Sequence, residues 1–264
     1  MSFSIDGKTA IVTGAANGIG LAIARHFAEH GANVMLADMD EASLQKEVDD
    51  ESDQSNLRYF AGDLREKLTI ANLLSATLDS FDRVDILINA SRQMMASDLL
   101  DLNDNSVETL LNQNFMTSLR LSQLIATRMI KQSGSQTEGQ AGAIVNLSSI
   151  AARRAHPQLL GYSVSTAALD QMTRAMAVAL APHRIRVNAV AFGSVMSASL
   201  QDMLKDNSDF RSDIEKHTPM GRIAPASDVA ETVQYLASES AGFVTGQILT
   251  VDGGRTLIDP VEAP

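Results

Sequence analysis

Short apolar runs alternate with longer segments of helical period along this chain of 264 residues. The runs are rich in β-branched residues and nearly continuous, a pattern typical of parallel strands that are buried on both faces. They cover residues 9–14, 33–38, 57–62, 84–90, 142–149, 185–192 and 247–254. The alternation predicts an α/β protein with about seven parallel strands and helices on both faces of the sheet.

The segments between the runs place apolar residues three or four positions apart, which predicts amphipathic helices. These helices are expected at residues 18–30, 64–81, 107–133, 161–180 and 227–238. Neither a repeat nor a linker interrupts the alternation, so residues 1–264 are expected to form a single domain. Residues 193–224 lack a strand pattern and are rich in Ser, Asp and Met, which predicts a lid over a site at the strand ends.

Composition and charge exclude several classes of function. The chain has no cysteine, which excludes disulfides, thiolate catalysis and Cys-based metal sites, and no metal site is predicted. Lysine and arginine number 21 against 32 acidic residues, so the net charge of -11 opposes binding to nucleic acid or to an anionic membrane. Because the chain shows neither a signal-peptide pattern nor an apolar run long enough to span a bilayer, we expect a cytoplasmic protein.

A glycine-rich turn, "TGAANGIG", directly follows the first predicted strand and opens the first predicted helix. Gly14, Gly18 and Gly20 stand where the backbone turns tightly and where backbone N–H groups at a helix N-terminus can bind a pyrophosphate. A turn between a strand and a helix also needs glycine for its geometry alone, and that interpretation stays open.

Asp38 ends the second predicted strand, where a carboxylate can accept hydrogen bonds from an adenosine ribose and repel a 2′-phosphate. This placement favours NAD over NADP as the cofactor. In the alternative interpretation, Asp38 caps the helix that begins near Asp40.

The chain resembles the short-chain dehydrogenase/reductase family over almost its whole length. The resemblance is carried by "TGAANGIG", "GDL", "NQNF", "NLSS" followed by "Y", and "IRVNAVAFG", in this order. It implies a single-domain Rossmann-type fold with a doubly wound, seven-stranded parallel sheet and a dinucleotide across the carboxyl ends of the strands. It also implies a small-molecule carbonyl or alcohol substrate and a homotetramer or homodimer.

The same resemblance assigns roles to individual residues. Asn114 corresponds to the active-site asparagine, Ser149 to the serine that orients the substrate carbonyl, and Tyr162 to the proton donor, while Asp63 would contact the adenine ring. The residues expected to line the dinucleotide site are Gly14, Asn17, Gly18, Ile19, Gly20, Asp38, Asp63, Leu64, Asn89 and Gly193.

Ser149 and Tyr162 also have a physical rationale. Hydride transfer to a carbonyl leaves charge on its oxygen, so a serine hydroxyl that holds this oxygen and a phenol that protonates it suit the reaction. The alternatives are an ordinary strand-end hydroxyl for Ser149 and an exposed aromatic side chain at a helix start for Tyr162.

Three positions depart from the pattern of the family that this chain resembles. Thr166 stands four residues after Tyr162, where the family has a lysine. The family usually has "NNAG" after the fourth strand, and this chain has "NASR", residues 89–92. After the sixth strand the family has "PG", and this chain has Phe192 and Gly193.

Thr166 carries no charge, so it cannot supply the cation that would favour the phenolate and bind the cofactor ribose. We expect this loss to affect alcohol oxidation more than carbonyl reduction, because a phenol at neutral pH already carries the proton that reduction needs. Arg92, Arg153 or Arg154 could replace the cation. Alternatively, they are solvated surface arginines, or the latter two form with His156 a basic lip that attracts an anionic substrate.

The sequence leaves two functions open. The first is an NAD(H)-dependent oxidoreductase that interconverts a secondary alcohol and a ketone, with Thr166 among its catalytic positions. The alternative is a dinucleotide-binding homologue with little or no turnover and a regulatory or assembly role. A dehydratase or isomerase has no support of its own.

Self-association is expected from the apolar surplus on helices 107–133 and 161–180, namely Met116, Leu119, Leu124, Met172 and Met176. The alternative is that these broad apolar faces contact the sheet.

Overall fold

Seven parallel strands form one sheet in the order β3-β2-β1-β4-β5-β6-β7. The structure, a computed structural model, describes residues 3–49, 56–197, 200–201, 204–205 and 208–258. The strands are β1 (Thr9–Thr13), β2 (Asn33–Asp38), β3 (Leu57–Ala61), β4 (Ile86–Asn89), β5 (Gly142–Ser149), β6 (Ile185–Phe192) and β7 (Ile248–Val251). Each strand lies within one of the seven apolar runs, so the predicted α/β fold is confirmed.

The central strands are buried on both faces because successive side chains point to opposite sides of the sheet. On β1, Val12 packs into one core with Phe27, whereas Ile11 packs into the other core with Leu73. Val12 is paired with Leu36 on one neighbouring strand and with Ile88 on the other. This double burial explains the nearly continuous apolar runs in the sequence.

The helices cover both faces of the sheet. They are α1 (Gly18–Glu29), α2 (Glu41–Asp49), α3 (Lys67–Phe81), α4 (Ser106–Leu110), α5 (Thr117–Ser133), α6 (Leu160–Leu180), α7 (Ser208–Lys216) and α8 (Ala226–Ala237). Apolar side chains of α1 and α8 enter the first core, and those of α3, α5 and α6 enter the second. Within the described residues, no helix is both long and apolar enough to cross a bilayer.

The predicted helix 107–133 is not one regular helix. Residues Leu111–Met116 form a π-helical segment between α4 and α5. Such wide turns keep the apolar residues near helical spacing, so the sequence pattern does not reveal them. The sequence pattern also gave no helix at α2, whose composition is mostly polar.

Three of the side chains expected to form an association surface pack wholly or partly against the interior of the subunit. Met172 is 6% exposed, and Met176 packs against the second core together with Leu124. For these residues the alternative, contact within the subunit, is correct. Exposed apolar side chains on α6 are instead Leu160, Val164 and Val178, and self-association stays a prediction.

A crevice is expected where the strand order reverses, between β1 and β4. Strand β2 pairs with one edge of β1, and β4 pairs with the other edge. The helices that follow therefore leave on opposite faces, and the loops after β1 and β4 separate at the carboxyl edge. These two loops, residues 14–17 and 90–93, form the walls of the candidate site.

Candidate active site

A groove crosses the carboxyl edge of the sheet, from β2 over the glycine turn to the loop after β4. Its lining residues are Gly14, Asn17, Gly18, Ile19, Gly20, Asp38, Met39, Gly62, Asp63, Leu64, Arg65, Ala90, Ser91, Arg92, Gln93, Gln113 and Ser197. Eight of the ten residues that the sequence assigned to a dinucleotide site are in this set. Asn89 and Gly193 are not.

The glycine turn is shaped by contacts that exclude side chains. Gly14 has φ +65, and a Cβ atom there would lie 2.8 Å from the backbone of Ser91. A Cβ atom at Gly20 would lie 2.1 Å from the carbonyl oxygen of Gly14. Asn17, at the N-cap of α1, makes no side-chain capping hydrogen bond. The helix N-terminus therefore faces the groove without a side-chain cap, as an anion site requires.

Asp38 holds the glycine turn against the end of β2. Its Oδ2 accepts a hydrogen bond from the backbone N of Ala16 at 3.2 Å, and its Oδ1 accepts one from the backbone N of Met39 at 2.7 Å. The side chain that caps α2 is Asp40, whose Oδ1 accepts from the backbone N of Ser43 at 3.1 Å. The alternative in which Asp38 is the helix cap is therefore wrong, and the Asp38 carboxylate lies in the groove.

Asp63, expected to contact adenine, lines the groove but is paired within the chain. Arg65 donates from Nε to Oδ1 at 2.9 Å and from Nη2 to Oδ2 at 2.6 Å. These hydrogen bonds hold the pKa of the Asp63 carboxyl below its ordinary value. Only the position of Arg65 directly after "GDL" could have indicated it as a groove residue.

Asn89 belongs to the interior of the sheet and not to the groove wall. Its Nδ2 donates to Asn146 Oδ1 at 2.8 Å and to Ser122 Oγ at 2.9 Å, and its side chain is buried. The backbone after Asn89 is bound by Thr13 Oγ1, which accepts from the N–H groups of Ala90 and Ser91, each at 3.0 Å. These bonds connect the loop after β4 to the end of β1.

Gly193 directly follows β6 and is not among the groove-lining residues. Its φ is +154, and a Cβ atom there would lie 2.9 Å from the Ile150 side chain. Its backbone N donates to the carbonyl of Val251 at 3.3 Å. Gly193 therefore allows close packing between β6 and the turn after β5.

Tyr162 is a buried residue of the first turn of α6, and Arg92 contacts its phenol. Arg92 Nη1 donates a hydrogen bond to Tyr162 Oη at 2.9 Å. The guanidinium carbon of Arg92 lies 4.3 Å from the centroid of the Phe192 ring, within the range of a cation–π contact. Because Arg92 also lines the groove, it connects the groove to the tyrosine. The interpretation of Tyr162 as an exposed aromatic is therefore wrong, since the side chain is 4% exposed.

Thr166 faces its own helix. Its Oγ1 donates to the carbonyl of Tyr162 at 2.8 Å and to that of Ser163 at 3.1 Å, and the side chain is buried. The hydroxyl proton of Thr166 is therefore used by backbone carbonyls of its own helix.

Asn114 lies in the π-helical segment and binds the loop that carries Arg92. Its Oδ1 accepts from the backbone N of Gln93 at 2.8 Å, and its Nδ2 donates to the carbonyl of the same residue at 2.9 Å. Nδ2 also reaches Ser165 Oγ on α6 at 3.2 Å. The asparagine thus fixes the backbone next to Arg92 against the helix of Tyr162.

Ser149 ends β5, and its Oγ accepts a hydrogen bond from the backbone N of Ala151 at 3.1 Å. This bond leaves the hydroxyl proton available for a further acceptor. The turn that follows, Ile150–Ala152, packs against α6. Ser149 and Tyr162 therefore come from adjacent elements at the same edge of the sheet.

Arg153 and Arg154 bind strand β7 and the chain beyond it. Arg153 Nη1 donates to Thr250 Oγ1 at 3.2 Å, and Arg154 Nη2 donates to the carbonyl of Arg255 at 3.1 Å. Of the three arginines considered from the sequence, Arg92 is the one that hydrogen-bonds the phenol.

The fold and the groove at the strand-order reversal define a Rossmann-type α/β protein. Residues 14–256 match the model of a family described as enoyl-(acyl carrier protein) reductase. The chain belongs to the short-chain dehydrogenase/reductase family. Its relatives in this family include oxidoreductases.

Individual relatives match along nearly their whole length. An uncharacterized oxidoreductase of Mycobacterium tuberculosis is 32% identical over 96% of this chain and 94% of its own. The 7alpha-hydroxysteroid dehydrogenase of Escherichia coli is 32% identical, over 95% of this chain and 94% of its own. A solved structure of 7 alpha-hydroxysteroid dehydrogenase, complexed with NADH and 7-oxo glycochenodeoxycholic acid, has a TM-score of 0.88 at 30% identity and covers 96% of each chain.

Proposed function

We propose that this chain is an NAD(H)-dependent oxidoreductase that interconverts a secondary alcohol and a ketone. The observation that carries the proposal is the hydrogen bond between Arg92 and Tyr162, because Arg92 also lines the groove that begins at a glycine-rich helix N-terminus. In this proposal residues 1–264 act as one catalytic domain, and residues 193–224, of which 198–199, 202–203 and 206–207 lie outside the described residues, would act as the lid, with Ser197 in the groove wall.

The groove residues fit a nicotinamide dinucleotide. Gly14 and Gly20 set the path of the turn, because a side chain at either would collide with backbone, and the uncapped start of α1 would offer its N–H groups to a pyrophosphate. The Asp38 carboxylate would bind ribose hydroxyls and oppose a 2′-phosphate, which supports NAD over NADP. The NADH in the related hydroxysteroid dehydrogenase complex supports the same class of cofactor.

When bound, the dinucleotide would supply or accept the hydride. Tyr162 would donate its proton to the carbonyl oxygen during reduction, and its phenolate would take the alcohol proton during oxidation. Because Arg92 donates to the phenol oxygen, the phenolic proton is left for the substrate. Ser149 would donate its free hydroxyl proton to the same substrate oxygen.

A dinucleotide-binding role with little turnover is the second candidate. It is favoured by Thr166, whose hydroxyl is used within its own helix, and by Asp63, whose carboxylate is already paired with Arg65. In that case NADH would bind but no ketone would be reduced.

The test is reduction of a panel of secondary ketones, followed by the loss of NADH absorbance. We expect turnover by the wild type and a kcat at least about 100-fold lower for Tyr162→Phe. Tyr235→Phe serves as the control, because it removes the hydroxyl of a remote tyrosine whose ring packs on Phe3. Tight NADH binding without turnover on any ketone would favour the second candidate.

A further inference from the structure

We propose that Arg92 supplies the cation that acts on Tyr162, and that Arg92, Phe192 and Thr166 form one functional unit. Its catalytic meaning rests on the function proposed above. These residues come from three distant parts of the sequence, and each belongs to one of the three departures from the family pattern that the chain resembles. In the structure, Arg92 contacts the Phe192 ring, and Arg92 and Thr166 each form a hydrogen bond with Tyr162.

Arg92 is held in place by three partners. Its guanidinium lies over the buried Phe192 ring at 4.3 Å and donates to the phenol oxygen at 2.9 Å. The following residue, Gln93, is bound at both its N–H and its carbonyl by the Asn114 amide. A proline at position 192 would offer no aromatic face, so the phenylalanine there and the arginine at 92 depend on each other.

Thr166 leaves the phenol free for this arginine. Its hydroxyl is turned back to the carbonyl of Tyr162, and it adds no charge near the guanidinium. A lysine at 166 would place a second cation on the helix face that carries the tyrosine, one turn away, where the two charges would repel each other. The uncharged residue at 166 is therefore the expected companion of a cation at 92.

A charged donor bonds an anionic oxygen more strongly than a neutral one, and Arg92 donates to the phenol oxygen that would lose and regain the proton in the proposed reaction. During oxidation the phenolate takes the proton of the alcohol, and during reduction the phenol returns it. Arg92 transfers no proton in the proposed reaction. It acts as a hydrogen-bond donor whose effect is greatest when the phenol is ionised.

Other charged or titratable side chains lie on α6 itself or on the elements packed against it and the residues next to them. They are Asp170 and Arg174 on α6, and Glu108, Arg120, Arg128, Lys131, Arg153, Arg154, His156, His183 and Arg186 around it. Arg153 and Arg154 are bound to Thr250 and Arg255, and Glu108 is exposed. Among the hydrogen bonds of the described residues, the phenol oxygen of Tyr162 is reached by Arg92 alone.

The decisive measurement is the alkaline ultraviolet titration of tyrosinate, which needs neither cofactor nor turnover. The chain has three tyrosines, so the signal of Tyr162 is the difference between each protein and its Tyr162→Phe counterpart. We expect Arg92→Gln to move the midpoint of this signal upward, because the phenol oxygen loses its charged hydrogen-bond donor. Phe192→Leu should move it in the same direction by less.

Arg153→Gln is the matched control, since it removes an arginine from the neighbouring loop that has no hydrogen bond to the phenol. It should leave the midpoint unchanged. Arg92→Lys retains the charge and should shift the midpoint less than Arg92→Gln. If Arg92→Gln and Arg153→Gln give the same midpoint as the wild type, the proposal is wrong.

A rescue experiment tests the unit as a whole. In the Arg92→Gln background, Thr166→Lys should return the midpoint towards the wild-type value and restore about tenfold in the oxidation rate at pH 7. In the wild type, the same substitution should add little or reduce the rate. An equal gain from Thr166→Lys in both backgrounds would overturn the proposal, because the site would then lack a cation even with Arg92 present.

Failure of this inference and failure of the proposed function give different results. A shifted titration in Arg92→Gln without reduction of any ketone supports the role of Arg92 and contradicts the oxidoreductase. Reduction of a ketone by the wild type, together with an unshifted titration in Arg92→Gln, supports the oxidoreductase and contradicts the role of Arg92.

Discussion

The two ends of the groove are built in different ways. At the glycine end, Gly14 and Gly20 have their shape set by backbone contacts, and no side chain fits at either position. At the tyrosine end, the arrangement depends on the side chains of Arg92, Phe192 and Tyr162, which come from three separate elements. The glycine end is therefore determined by the lack of room for side chains, and the tyrosine end by contacts between side chains from separate elements.

This difference determines how each end can change. A backbone-built site fails when a single methyl group is added, because no rotamer relieves the contact. In a site built from side chains, the residue that supplies a charge can be replaced by a residue at another position, provided that the side chains in contact with it are substituted as well. On the proposed assignment, a cation has moved from a helix to a loop while the phenol stays on α6. We expect substitutions at the two ends to differ accordingly.

The largest effect is expected at Gly14. Gly14→Ala would combine left-handed strain of about 1–2 kcal/mol with an overpacking cost of about 1–3 kcal/mol, since the new Cβ would lie 2.8 Å from the backbone of Ser91. We expect a lower free energy of unfolding in urea and loss of NADH binding. Gly7→Ala is the control: Gly7 has φ +68 but no atom within 4 Å of a Cβ, so only the strain should remain. Equal losses in the two variants would contradict the backbone-built glycine end.

A smaller effect is expected at Asp38, which also belongs to the glycine end. NADH should bind more tightly than NADPH, and Asp38→Asn should weaken NADH binding about tenfold to a hundredfold while NADPH binding changes less, because the charged acceptor is lost. The comparison is made by titration of both cofactors.

The control for Asp38 is Asp40→Asn, which removes a charge nearby but retains a good N-cap for α2. It should change neither affinity by much. Equal or tighter binding of NADPH to the wild type would show that the Asp38 carboxylate does not select the cofactor.

The same contrast explains what could be predicted from the sequence. The strands were predictable because double burial requires continuous apolar runs, and the glycine turn because few residue types suit its backbone. The π-helical segment Leu111–Met116 was not, since an extra backbone residue per turn leaves the side-chain pattern almost unchanged. Asn89 was misplaced because its neighbours Asn146 and Ser122, which draw its amide inward, come from other elements.

The contact between Arg92 and Tyr162 could be named from the sequence only as one of three possibilities. Which arginine reaches the phenol depends on the path of the loop after β4. Thr13 binds this loop at Ala90, and Asn114 binds it at Gln93. Those bonds join residues that are far apart in the chain. Periodicity and residue type carry no information about them.

The smallest effect is expected from a carboxylate outside both ends of the groove. Asp170 on α6 is 4% exposed, and burial raises the pKa of its carboxyl, although Ser148, Arg153 and Arg174 favour its ionised form. Below about pH 4 the carboxyl is protonated in both the folded and the unfolded chain. As the pH rises, the unfolded chain ionises first, so the folded state loses stability until its own carboxyl ionises. Asp170→Asn should therefore raise the Tm at pH 7 by about 2–4 °C, and this gain should vanish near pH 4.

Asp63→Asn should act with the opposite sign, since the Arg65 hydrogen bonds lower the pKa of Asp63 and stabilise the fold above it. Thermal unfolding of the three proteins from pH 4 to pH 7 separates the two signs, and a lower Tm for Asp170→Asn at pH 7 would mean that the buried carboxylate has a stabilising partner.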